Sequence, residues 1–193
     1  MGFQITGAAV LLAFYGCYFA KMISQRQKGI VTDQLGKDKA GTERRIETAT
    51  RFATYLVPAA EAVSIALNTA PFPCAVRAAG AAAAAAGTAA FAISAWTMRD
   101  SWRAGVPRTD RTELVTDGIY QFSRNPAFLG FDLVYIGIAV MFFNWILFAV
   151  SAAAIAVLHL QIVAVEEKFL SEAFGEAYIG YQKRVRRYLG RKR

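Results

Sequence analysis

The chain has 193 residues, 55% of them hydrophobic and 19% charged, with a mean hydropathy of +0.31 and a formal charge of +8. That balance excludes a disordered chain and speaks against a soluble basic protein, whose charge would be spread among polar surface residues; it points to an all-α integral membrane protein. Its two cysteines, Cys17 and Cys74, both lie in apolar stretches, so neither a disulfide framework nor a metal site is expected, and both thiols should be reduced and buried.

A spanning helix needs about 20 mostly apolar residues, and five windows come close to supplying them. The first covers residues 3–23 and the second 52–70. The third, 73–98, is almost pure alanine through 78–86, where Gly80 and Gly87 favour close helix contact. The last apolar run, 126–165, has 40 residues and is too long for one span; Asn144 near its middle marks the turn of a helical hairpin. Beyond it, Phe169, Leu170, Phe174, Tyr178, Tyr181, Val185 and Tyr188 recur at steps of three and four, which predicts an amphipathic C-terminal helix on the cytoplasmic side. The expected organisation is three transmembrane helices over 1–98, with a basic loop at 21–51, then a second region over 99–193 carrying the hairpin and the final helix.

Charge placement tests this count. The segments 21–51, 99–125 and 166–193 hold 21 of the 22 Lys and Arg residues, and the remaining one, Arg77, lies within a span. Under the positive-inside rule this puts the N-terminus outside and the C-terminus in the cytoplasm. Membrane lipids are the expected surroundings. Nucleic acid is not an expected partner, because topology accounts for the basic residues and no aromatic-basic platform occurs.

Chemistry is expected where polar residues enter apolar ground. In the stretch 112–130, Thr116-Asp117-Gly118 is a turn signal, and Asn125-Pro126 is a helix start with Asn125 as N-cap and Pro126 in the first turn. The free N–H groups of that helix would favour an anionic group. Glu166-Glu167 forms a second dense point at the end of the fifth span. Adjacent carboxylates there need a positive partner, for which Arg124 or a cationic ligand is the candidate. Asp132, Glu61 and Arg77 are intramembrane ions, with a Glu61–Arg77 pair as one reading. His159, the one histidine, stands seven residues before Glu166 on the same helical face and so is expected to line the same cavity.

The order Leu114-Val115-Thr116, Gly118 and Tyr120, then Ser123-Arg124-Asn125-Pro126 with Phe128 and Gly130, then a hairpin, then Glu166-Glu167, Phe174-Gly175, Tyr178, Tyr181 and Arg184-Val185 resembles the isoprenylcysteine carboxyl methyltransferase and phospholipid methyltransferase superfamily. The resemblance covers residues 112–188. It implies a membrane enzyme that binds S-adenosylmethionine at the cytoplasmic face and methylates a lipophilic substrate entering from the bilayer. Carried onto this chain, cofactor contacts would fall on Thr112, Glu113, Leu114, Val115, Tyr120, Asn125, Pro126, Ala127, Phe128 and Glu166. Glu167 and Arg124 would be catalytic, and His159, Ile162 and Asp132 would face the substrate. Two departures stand out. The carboxyl methyltransferase branch resembles Arg-His-Pro-x-Tyr, where this chain has Asn125 and Phe128. That branch also carries an arginine four residues before the first Glu, where this chain has Ile162, which weakens prenylcysteine as the substrate. Two alternatives share part of the pattern: an NADPH-dependent sterol-type membrane reductase, whose usual Asn and Glu near the Tyr are Ala127 and Phe131 here, and a non-catalytic membrane protein of the same fold.

Overall fold

The computed structural model describes residues 1–37, 39–106 and 112–192, so the stretch 107–111 of the expected 99–125 connector lies outside the described residues. The main elements are α1 (Gly2–Gln27), α2 (Gly41–Leu67), α3 (Cys74–Thr97), α4 (Pro126–Met141), α5 (Trp145–Gln161), a π-turn (Ile162–Glu166) and α6 (Glu167–Arg184). Strand pairing among the described residues is limited to two isolated bridges. Three helices are long and apolar enough to cross a membrane: Gly2–Gln27, Cys74–Thr97 and the continuous Trp145–Arg184. Helix α4 is apolar but has 16 residues, and α2 becomes apolar only after Arg51. The protein is an integral membrane protein, and its all-α architecture is a five-helix bundle whose last member runs on into α6. Large apolar side chains such as Leu12, Phe52, Leu56, Trp96 and Trp145 lie on its outside, where lipid rather than water is the solvent. The same solvent corrects the cysteine expectation: Cys17 and Cys74 are exposed on the outer surface instead of buried.

The tightest helix pair is α3 on α4, made possible by glycines on both sides. A Cβ placed on Gly137 would stand 2.5 Å from the Gly80 carbonyl oxygen, and one on Gly130 would stand 2.8 Å from that of Gly87. In lipid, helices associate through such close backbone approach, since apolar side chains gain little by leaving hydrocarbon. The hairpin turn falls at Asn144, whose side chain accepts from Leu147 N at 2.9 Å and donates to Ser64 Oγ at 2.8 Å, tying α5 to α2. Arg77 does not pair with Glu61. It donates to the Met141 carbonyl at 2.8 Å and to Asn68 at 2.6 Å, and stacks 4.3 Å over the Phe3 ring, so it caps the open end of α4 at the bundle end opposite the basic connectors.

At the basic end the chain folds back over the bundle. Residues 28–37 and 102–106 are stitched together by Gln34 N to Ala104 O at 2.8 Å and Ala104 N to Thr32 O at 3.0 Å. Buried Gln25 at the end of α1 donates to Trp102 O and accepts from Thr32. The expected 21–51 loop is therefore a short strap between two long helices.

Gly137→Ala is expected to cost about 1–3 kcal/mol, because backbone must move to admit the methyl group. Gly16→Ala, with nothing within 4 Å of its Cβ position, should be neutral or slightly stabilising. Thermal unfolding of the detergent-solubilised protein compares the two.

Candidate functional site

A cavity of about 170 Å³ opens at the basic end, between the cores of the helices and the connectors above them. Tyr18, Phe91, Trp102, Phe131 and Leu158 form its apolar side, and Leu35 of the strap with Ala104 and Gly105 of the segment paired to it form part of its roof. Met98, Arg103, Glu113, Leu114 and Val115 line both this cavity and a more polar outer pocket, so one wall serves a polar and an apolar compartment.

The segment before α4 is fixed by α6 and the tail. Tyr178 and Tyr181 pack with Tyr120 and Val185 in a small separate core. Tyr181 Oη donates to the Tyr120 carbonyl at 2.6 Å, and Ser94 and Tyr120 share a hydroxyl hydrogen bond of 2.7 Å. Gly175 interrupts α6 with φ 49°, a left-handed bend that a side chain would strain, and the helix then resumes against the bundle. The tail closes the arrangement: Arg124 N donates to Arg186 O at 3.1 Å, and Asn125 Nδ2 to Arg187 O at 3.1 Å. Asn125 holds the N-cap position by sequence, yet its side chain is spent on the tail and makes no capping bond.

The two adjacent carboxylates do different work. Glu167 accepts from Arg124 at 2.9 Å and from Arg187 through two bonds of 2.9 Å each. Burial pushes its carboxyl up, but the two guanidinium groups outweigh this and hold it below the usual range. Arg124 also donates to Tyr178 Oη at 3.0 Å, while its buried Nε has no partner among the described residues. Glu166 lines the cavity and forms no ion pair among the described residues. Burial, aided by the neighbouring Glu47 carboxylate, pushes its carboxyl up to about 7 against the opposing pull of the Gln161 amide and Lys39.

Of the residues expected at the site, Glu113, Leu114, Val115, Tyr120, Arg124, Asn125, Ala127, Phe128 and Glu166 line the cavity. Thr112, Pro126 and Glu167 stand behind its wall. The three residues expected to face the substrate do not reach it. Ile162 is fully buried in the bundle, and Asp132 is half-buried on α4 outside the lining. His159 faces outward, 2.6 Å from Tyr188 Oη and stacked on that ring. For His159 the reason is the π-turn at Ile162–Glu166. Its wider turn breaks the 3.6-residue register, so a seven-residue step no longer returns to the same face, and Leu158 and Gln161 share the cavity with Glu166 instead. Glu47, Gln161 and Arg187 were missed by sequence reasoning. Gln161 carried a signal, as a polar amide inside an apolar run; Arg187 was one basic residue among several in the tail.

These features define an all-helical membrane protein with a partly polar cavity where basic connectors cover its helix ends. Residues 75–177 match the family described as phospholipid methyltransferase, more than half of the chain, and the protein belongs to that family. It is 36% identical over 84 residues to protein-S-isoprenylcysteine O-methyltransferase B of Arabidopsis thaliana, covering 42% of this chain and 41% of that protein. Against protein-S-isoprenylcysteine O-methyltransferase of Schizosaccharomyces pombe the identity is 32% over 72 residues, covering 37% and 30% of the two chains. The similarity thus spans less than half the length of either relative.

Removing the Glu167 charge with Glu167→Ala leaves Arg124 buried without a counter-ion and is expected to cost about 3–5 kcal/mol. Arg187→Ala removes the more exposed of the two partners and should cost about 1–2 kcal/mol. Melting curves of both variants against the parent protein test the ranking; equal losses would show that Arg124 does not depend on Glu167.

Proposed function

We propose that the protein is an integral membrane methyltransferase that uses S-adenosylmethionine to methylate a lipophilic acceptor reached from the bilayer, with its basic end and C-terminus in the cytoplasm. The observation that carries this reading is the meeting, on one cavity, of Glu113–Val115, Tyr120, Arg124–Asn125 and Ala127–Phe128 with Glu166, which lies beyond the whole α4–α5 hairpin in sequence. The names of the relatives point the same way.

The residues suit the proposed cofactor. A sulfonium amino-acid nucleoside carries hydroxyl and ammonium donors, a carboxylate, and an aromatic base. Glu166 offers a carboxylate to the donors, the unpartnered Nε of Arg124 offers an N–H to the carboxylate, and Tyr120 and Phe128 offer apolar faces to the base. When bound, the cofactor supplies an electrophilic methyl group. The protein's part is to hold donor and acceptor in line and keep water out, and such positioning is worth about 7–11 kcal/mol in ideal cases. Trp102, Phe91 and Phe131 would exclude water on the acceptor side. Glu167 acts through Arg124 and is a positioning residue, because its oxygens are turned to two arginines and do not line the cavity.

Titration of the detergent-solubilised protein with S-adenosylhomocysteine is expected to raise its melting temperature, with no response to NADPH; the reverse pattern would overturn the proposal in favour of a reductase. Glu166 accepts most strongly from the ligand's donors when ionised. Because its carboxyl titrates near 7 instead of near 4.5, affinity for S-adenosylhomocysteine should rise as the pH is raised through about 7. Glu166→Gln should weaken binding and flatten this profile, as measured by calorimetry at a series of pH values.

A further inference from the structure

The α2–α5 wall of the cavity carries two polar side chains whose hydrogen-bonding capacity is unspent. Gln161 is 1% exposed and Thr50 is 4% exposed, and both line the cavity. Gln161 Oε1 and Thr50 Oγ1 have no hydrogen-bond partner among the described residues. A buried oxygen left in that state is costly, so two on one wall call for a function.

Glu47 explains how the amide is set. This fully buried carboxylate lies one helical turn before Thr50. It accepts from Lys39, from Gly36 N at 2.6 Å, from Val106 N at 3.3 Å and from Gln161 Nε2 at 3.3 Å. Turning the amide over would bring Gln161 Oε1 against the Glu47 carboxylate, acceptor against acceptor. The nitrogen is therefore committed to Glu47, and Oε1 is left for another donor. The cations nearby are engaged as well: Lys39 on Glu47, Arg103 on the Asp100 and Trp102 carbonyls, and Arg124 on Glu167, with its remaining Nε given to the cofactor carboxylate in the methyltransferase reading. A carboxylate placed at this wall would meet Gln161 Oε1 and Glu166 with no cation committed to it, whereas an O–H or N–H group would satisfy Oε1.

We propose that Gln161 and Thr50, with the amide oriented by Glu47, form a head-group subsite that binds a lipid head bearing an O–H or N–H donor and disfavours a carboxylate head. The assignment rests on the methyltransferase reading only in making that lipid the methyl acceptor. Glu47 is a positioning residue here, since it touches Gln161 and not the ligand.

Hexadecanol, hexadecylamine and hexadecanoate, which share one chain and differ in the head, are titrated into the full detergent-solubilised protein alongside S-adenosylhomocysteine. The alcohol and the amine are each expected to bind at least about tenfold more tightly than the acid. Gln161→Met and Thr50→Val should each weaken alcohol binding by about five- to tenfold and narrow the gap to the acid, while in Thr50→Val S-adenosylhomocysteine affinity stays within about threefold. Thr50→Val, a near-isosteric change on a different helix, keeps the test decisive if Gln161→Met does not fold. Equal binding of acid and alcohol, unchanged alcohol binding in Thr50→Val, or a parallel loss of S-adenosylhomocysteine binding in Thr50→Val would each overturn the subsite. An intact preference for alcohol over acid in a protein that fails to bind S-adenosylhomocysteine would support the subsite and sink the methyltransferase reading alone.

Discussion

Glu167 accepts hydrogen bonds from Arg124, on the segment entering α4, and from Arg187, on the tail beyond α6, and so joins the two stretches of chain that bound the cavity. Neither arginine could remain near apolar helices without a counter-charge, and one carboxylate serves both through three short, charge-assisted bonds. The tail, once held there, supplies backbone carbonyls to Arg124 and Asn125. Tyr178 and Tyr181 then have a fixed surface in Tyr120 against which to pack. The geometry of the cavity wall follows from this cluster, because Tyr120, Arg124 and Asn125 all line it.

Glu47 does the corresponding work on the other side. It gathers Lys39, the strap backbone at Gly36 and Val106, and Gln161 around one buried charge. Both clusters follow from the same rule: at the edge of an apolar bundle a charge persists only where several donors converge on it. Glu166 lies between them, beside Gln161 and the Glu47 charge but with no ion pair among the described residues, and burial there raises its affinity for protons. Two neighbouring carboxylates thereby acquire opposite properties, one structural and ionised, one facing the cavity and poised near neutrality.

Much of this was legible in the sequence. The apolar windows at 3–23, 73–98 and 126–165 correspond to α1, α3 and the α4–α5 hairpin, and Asn144 does end the hairpin turn because an amide can cap α5 and reach Ser64 at once. Gly80 and Gly87 announced close helix contact, and their partners turned out to be Gly137 and Gly130 within the same chain. The nine cavity-lining residues among those expected come from the segments around Asn125-Pro126 and Glu166, where polar groups interrupt apolar chain. His159 does not share the face of Glu166, because the seven-residue step assumed regular helical periodicity and the π-turn does not keep it. The Glu61–Arg77 pair failed because open carbonyls at the end of α4 offered Arg77 a nearer partner.

By itself the sequence determined which stretches must lie in lipid, where the hairpin turns, and that the charges collect at helix ends, because hydropathy and helix-terminal chemistry are local properties of the chain. Only the tertiary structure decided which acid is neutralised and which is left facing the cavity, that Arg187 rather than another tail residue completes the clamp, and that Glu47 orients Gln161 from 114 residues away. Those outcomes depend on which donors meet in three dimensions, and a pairing between distant segments leaves no periodic trace in the order of the residues.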